Sequence, residues 1–253
     1  MSSPAPTNLR DLRGLRTDDG RIVRRGVLYR SEVPLPGGGA GSDVAIWPPA
    51  VVVDLRTAEE HSSQPPRASS VGPPDLGTGP HPLDAPGTAV HRVPMGADLA
   101  PALADRSGHH DLGTAYRMLV RDAAARIAVI VGLVAGSPGP VLVHCTAGKD
   151  RTGIVVAVLL RAVGVRRSDV VADYLRTEAN LPRLWAALQG AGIRAPRNRA
   201  LMGVHVGALE AVLDELDAVD GGAAGWLATH GVGADTLARL SDRLLSPVRA
   251  PAA

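Results

Sequence analysis

Residues 141–155 limit the fold more than any other part of the chain. Val141-Leu142-Val143 is apolar without a break, Gly148 and Gly153 punctuate the next ten residues, and Ile154-Val155-Val156-Ala157 resumes the apolar run. A short apolar run with no polar alternation reads as a strand buried on both faces, the kind found in parallel sheets covered by helices. The glycines then mark a tight loop, and the spacing predicts a helix over 151–163 that ends at Gly164.

Three more runs bounded by Gly, Pro or charge, at 26–29, 50–55 and 89–94, read as strands beside the one at 140–144. Helical periodicity covers 114–135. From Ser168 onward the strand signal disappears, and 168–176, 182–189, 200–219, 223–230 and 235–245 all read as helices, with Ser168 and Asp235 as N-terminal caps. The expectation is an α/β fold: a mostly parallel central sheet flanked by helices, with a helical C-terminal third. At 253 residues one domain, 1–253, is the default. The stretch 61–88 carries seven prolines and is read as a flexible Pro/Gly-rich insertion.

The loop between strand and helix, His144-Cys145-Thr146-Ala147-Gly148-Lys149-Asp150-Arg151-Thr152-Gly153, carries the chemistry. A loop entering a helix N-terminus aims several backbone N–H groups one way, which suits a phosphate dianion. The helix dipole and a nearby cation favour the thiolate of Cys145, a nucleophile also expected to be open to peroxide. Arg151 follows after five intervening residues, a spacing that wraps the chain once around a tetrahedral anion and returns a guanidinium to its far side. The Thr152 hydroxyl is placed to donate to the Cys145 sulfur and help it leave, and His144 to hold the loop.

Composition sharpens the point. Of 27 basic residues one is lysine, and there is one cysteine; Lys149 and Cys145 therefore both fall inside this loop. A free cysteine at a strand end is ordinarily just a small buried hydrophobe, but strand, glycines, His144 and Arg-Thr-Gly together argue against that. A nucleotide-binding loop is excluded, because Asp follows Lys149 and no Gly lies five residues before Gly148.

His144 to Gly153 resembles the HCxxGKDRTG signature of the atypical bacterial protein-tyrosine phosphatases. Asn8-Leu9-Arg10-Asp11, Leu28-Tyr29-Arg30-Ser31, Val53-Asp54-Leu55-Arg56 with Glu59, and Ala172-Asp173-Tyr174-Leu175 are similar to further motifs of that family. The resemblance implies a PTP-like fold, no metal and no cofactor, a phosphocysteine intermediate, and a phosphorylated protein substrate. Phosphotyrosine is the substrate it implies first, with phosphoserine, phosphothreonine and phosphoinositide head groups beside it. Catalysis falls to Cys145, Arg151 and Thr152 with a general acid, Asp150 ahead of Asp98; His144, Thr146, Ala147, Gly148, Lys149 and Gly153 line the phosphate. Lys149 would add a second cation there.

Other signals are weaker. Asp54 and Arg56 are read as structural, positioning the loop through Glu59. His109-His110-Asp111 is a polar turn rather than a metal site, for want of a third ligand at a recognisable spacing. The net charge of +2 gives no argument for nucleic-acid or membrane affinity. The first residues lack the basic and apolar regions of a signal peptide, so a cytoplasmic location is expected, with export by another route left open. Oligomeric state is not legible. Two other functions remain to be separated by experiment: a silent phosphate-binding module, and a sulfur-transfer enzyme using the same cysteine.

Overall fold

The computed structural model describes residues 5–62, 81–96, 112–195 and 201–247. Its sheet holds β1 (Arg10–Asp11), β2 (Leu28–Ser31), β3 (Val51–Asp54), β4 (Ala89–Arg92) and β5 (Val141–His144) in the order β1-β2-β5-β3-β4. Only β1 runs antiparallel; β2, β5, β3 and β4 are mutually parallel. The expected α/β architecture is therefore present, with each of the four expected strands found within about two residues of its reading.

Strand alternation divides the core. Leu28, Val51, Val53, Val141 and Val143 join the large core beneath the helices, whereas Tyr29, Val52 and Leu142 face a smaller cluster with Leu9, Val44 and Leu83. A sheet buried on both faces needs such unbroken apolar strands. The helices are α1 (Ala58–Ser62), α2 (Leu112–Asp122), α3 (Ala124–Gly136), α4 (Asp150–Ala162), α5 (Arg167–Gly190), α6 (Val206–Asp217), α7 (Gly222–Thr229) and α8 (Ala234–Leu244). The C-terminal third is helical, as expected. Helix α4 is buried along Thr152–Leu160 and forms the spine of the molecule.

Several helix boundaries differ from the sequence reading. The single helix expected over 114–135 is two, breaking at Ala123, because α2 packs on α6 while α3 packs on α8. Conversely, the two helices expected either side of Pro182 are one, α5. An internal proline costs a helix about 3 kcal/mol. Leu181, Leu184, Trp185 and Leu188 offset that by packing around Val33 and Ala147. The helix expected from residue 200 starts at Val206. Ser168 and Asp235 are not caps: α5 and α8 start after Arg166 and Gly233, and neither helix has a side-chain cap.

Both ends of the Pro-rich stretch are part of the folded structure. His61 belongs to α1, and His81 and Leu83 are buried; residues 63–80 lie outside the described residues. So do Asp98 and His109-His110-Asp111.

Beneath the sheet edge, Asp173 of α5 is gripped by two buried arginines. Arg10 Nε lies 2.8 Å from its Oδ1 and Arg30 Nη1 2.7 Å from its Oδ2. Burial pushes the Asp173 carboxyl upward, but the charges of Arg30 and Arg10 outweigh it and hold the group below its ordinary range. Removing the carboxylate would leave two buried cations uncompensated, so Asp173→Ala is expected to lose about 3–5 kcal/mol of stability. A urea midpoint unchanged by that substitution would show that the arginines find other partners.

Candidate active site

The loop from Cys145 to Lys149 is held from outside by its carbonyls. His144 Nδ1 lies 3.1 Å from the Cys145 oxygen, and the Val33 N–H donates to that of Thr146 at 3.1 Å. The Asn8 amide donates to the Ala147 and Gly148 oxygens at 3.5 and 3.3 Å. Arg30 Nη2 donates to Gly148 and Lys149 at 2.9 and 3.4 Å, and the Gly153 N–H to Lys149 at 2.8 Å. With five successive carbonyls turned outward, the N–H groups of residues 146–151 have no acceptor among the described residues. That ring of donors at the start of α4 is an anion cradle.

Gly148 is what lets the loop close. Its φ is +64°, and a Cβ there would stand 2.1 Å from the Ser31 carbonyl oxygen, so a side chain would break both the turn and the contact with β2. A Cβ on Gly153 would meet the Tyr174 ring at 2.8 Å, which brings α4 close against α5.

Cys145 is buried, only 3% exposed, so the expectation of a thiolate open to solvent is corrected. Thr152 Oγ1 is buried with no hydrogen-bond partner among the described residues, so the expected donation to sulfur is not made in this geometry. Ala147 packs against Val33 and Leu184.

Arg151 meets Glu60 of α1 in a two-pronged pair, Nη1–Oε2 and Nη2–Oε1 both 2.6 Å, and Nη1 also reaches the Leu55 carbonyl at 3.2 Å. The Thr57 N–H and the Thr146 hydroxyl donate to the same carboxylate, at 2.9 and 2.5 Å. Burial pushes the Glu60 carboxyl upward, yet the Arg151 hydrogen bonds and charge bring it down to about 2. The loop is thus tied through Glu60; the role given to Glu59 from the sequence is off by one residue. Neighbouring carboxylates on a one-turn helix cannot be told apart without knowing its rotation.

Lys149 is buried rather than directed at a ligand. Its Nζ donates to the Leu201 and Gly203 carbonyls at 2.9 and 2.6 Å and lies 3.1 Å from Asp150 Oδ1. Those carbonyls are turned to the ammonium rather than into an α-helical ladder, and the α-helix begins only at Val206. Asp150 Oδ1 also accepts from the Tyr116 hydroxyl, which lies 3.1 Å from that of Tyr174.

Behind the loop, Arg56 forks Asp54 at 3.0 and 2.7 Å, and the imidazoles of His81 and His144 meet Nε2 to Nε2 at 3.0 Å. Sequence reasoning missed Glu60, His81 and Tyr116. It quoted Asn8, Arg30 and Asp173 within motifs but gave them no task.

Desolvation, followed by the His144 charge, lowers His81 to about 3; desolvation, only partly opposed by Asp54, lowers His144 to about 4. Between the unfolded value near 6.5 and these folded values, the unfolded chain binds more protons, so stability falls as pH drops through this window. Denaturation midpoints measured from pH 7 to 4 should decline accordingly, and less steeply in His81→Gln; a flat wild-type profile would contradict the neutral pair. Glu60→Gln should cut turnover about tenfold or more by freeing Arg151, while Glu59→Gln leaves it unchanged. Equal effects of the two substitutions would put Arg151 under another control.

Comparison with known proteins agrees with the geometry. The chain is 29% identical to the triple specificity protein phosphatase PtpB of Mycobacterium tuberculosis, across 96% of this chain and 98% of that one. It is 30% identical to a putative tyrosine-protein phosphatase of Cupriavidus necator, across 84% of this chain and 77% of that one. A tyrosine-protein phosphatase of Nostoc commune is 37% identical over 121 residues, 44% of this chain and 41% of that one. A family model described as the tyrosine phosphatase family matches residues 1–246, and the chain belongs to that family of phosphatases.

Proposed function

We propose that the protein hydrolyses phosphate monoesters, phosphotyrosine foremost, through a phosphocysteine intermediate on Cys145, and that residues 1–253 act as one catalytic domain. The observation that carries this reading is the ring of N–H donors at 146–151, kept free because the loop's carbonyls are bound elsewhere. Such donors hold three phosphate oxygens and stabilise the charge that builds on them in the transition state, with Arg151 on the far side. Cys145 Sγ attacks phosphorus while the bond to the leaving oxygen breaks. Water then attacks the phosphocysteine, releasing phosphate and restoring the sulfur; the Thr152 hydroxyl, with no other partner among the described residues, supports the departing sulfur at that stage.

The leaving oxygen takes a proton from Asp150. It is the first residue of α4, beside Arg151, and its Oδ1 is fixed by Tyr116 and Lys149. Asp98 remains the alternative acid. The case for phosphoinositides weakens, because it rested on Lys149 as a spare cation and that ammonium is bound to two backbone carbonyls. The triple specificity named for the mycobacterial relative keeps phosphoserine and phosphothreonine among the substrates to be tried.

Hydrolysis of p-nitrophenyl phosphate by the wild type and its abolition in Cys145→Ser is the expected result. Activity surviving in the serine variant would remove Cys145 as nucleophile, and an inactive but folded and reduced wild type would favour a silent binding module. Asp150→Asn should lower kcat about 100-fold on a phosphotyrosine peptide and much less on p-nitrophenyl phosphate, whose leaving group needs less protonation. An equal fall on both would pass the acid's role to Asp98. Chelators are expected to leave the rate unchanged, and a strong loss with EDTA would overturn the mechanism.

A further inference from the structure

Three imidazoles gather behind the cradle, and the phosphatase chemistry leaves two of them unused. His81 Nε2 and His144 Nε2 lie 3.9 and 3.7 Å from Asp54 Oδ2, and His61 Nε2 lies 3.6 Å from the same oxygen. Imidazole nitrogens and a carboxylate oxygen converging in this way match the donor set of a zinc site. The backbone argues against that reading. The Leu83 N–H donates to His81 Nδ1 at 3.1 Å, so in neutral His81 the ring proton is on Nε2, where a metal would need a lone pair.

The same constraint fixes the whole chain of bonds. At one end the Leu83 N–H makes His81 Nδ1 an acceptor and Nε2 a donor. At the other, the Cys145 carbonyl, 3.1 Å from His144 Nδ1, can only accept, so His144 carries its proton on Nδ1 and offers a lone pair at Nε2. The two Nε2 atoms then meet, donor to acceptor, at 3.0 Å. We infer that His81 is a positioning residue of the phosphatase: its Nε2–H selects the His144 tautomer whose Nδ1–H draws the Cys145 carbonyl away from the cradle. This rests on Cys145 as nucleophile.

The surroundings leave that task to His81. Asp54 is the nearest charge, but Arg56 takes both its oxygens, and at 3.7 Å its Oδ2 is beyond hydrogen-bond reach of His144. Arg56 works against protonation of both rings, Arg92 against that of His81 and His61 against that of His144. His81 is itself anchored. The Asp84 N–H closes a turn on its carbonyl at 2.8 Å, and Leu83 packs with Leu9, Val44 and Val52 under the sheet. With the other His144 tautomer, a nitrogen lone pair would face the Cys145 carbonyl oxygen. The first peptide of the cradle would then lose its hold and the N–H of Thr146 its direction.

The test uses the full chain labelled with ¹⁵N-histidine. At neutral pH the ring-nitrogen shifts of the wild type should show His144 protonated on Nδ1 and His81 on Nε2. In His81→Leu, His144 should become a mixture of tautomers and kcat on p-nitrophenyl phosphate should fall about tenfold. His81→Gln, whose amide N–H can donate to the same nitrogen, should recover most of the rate and the single His144 tautomer. The inference is overturned by the opposite tautomers in the wild type, by visible d–d bands from Co²⁺ bound at these histidines, or by wild-type kinetics in His81→Leu. A Gln variant as impaired as the Leu variant would also overturn it, leaving His81 a merely packed side chain. A wild type whose tautomers are as stated but which hydrolyses nothing would instead sink the phosphatase reading.

Discussion

Three of the five outward carbonyls of the cradle, those of Ala147, Gly148 and Lys149, depend on one buried carboxylate. Asp173 alone offers no catalytic chemistry, but it fixes Arg30, and Arg30 Nη2 then reaches the carbonyls of Gly148 and Lys149. Arg10, on the other side of Asp173, donates to the Asn8 side-chain oxygen at 2.5 Å and so orients the amide that holds Ala147 and Gly148. Two arginines this close would repel; burial and the Arg30 charge lower Arg10 to about 10, and the shared carboxylate offsets that repulsion. The cost of burying three charges is met by geometry: each carbonyl they hold is one that no longer competes for the donors meant for phosphate. Strand β2 and helix α5 thus shape the loop from behind, through Arg30 and Asp173, and Arg10 of strand β1 acts on it through Asn8.

A second charge system works from the opposite side. Glu60 ties Arg151 to Thr146 and to the start of α1, so the guanidinium is aimed before any anion arrives. Burial pulls Arg151 toward losing its proton, but the Glu60 hydrogen bonds, Cys145 and Asp150 raise it above its ordinary value. A pre-aimed cation and a pre-formed ring of N–H groups need little reorganisation when charge develops on the phosphoryl oxygens, which is where such sites gain most of their rate.

How much of this is legible in the sequence depends on how far each feature's signal reaches. The strands and α4 are legible because their signals are local: an unbroken apolar run, then glycines at fixed offsets. Cys145 and Arg151 are legible because the wrap of the loop fixes their spacing. Pro182 misleads, since a local propensity for breaking helices is overridden by the packing of Leu181, Leu184 and Trp185. Lys149 misleads in the other direction. Its rarity suggests a ligand-facing cation, but only the fold brings the 201–203 carbonyls to it. Glu60 and His81 reach the site from segments whose rotation and approach no period encodes.

Polar groups this deeply buried are tolerable only when each bond has one direction, and the histidine pair illustrates the principle most fully. A lone buried His144 could present either tautomer to the Cys145 carbonyl, one leaving Nε2 an unpaired acceptor, the other leaving it an unpaired donor with a repulsive contact at Nδ1. Closing the chain with a backbone N–H at Leu83 and a backbone C=O at Cys145 removes that freedom, because neither end can reverse. Asp54 stays nearby without taking part, saturated by Arg56, so its charge biases the rings without offering a competing acceptor at bonding distance. The loop therefore inherits its orientation from main-chain groups on either side of the sheet, which are the least adjustable donors and acceptors a protein has.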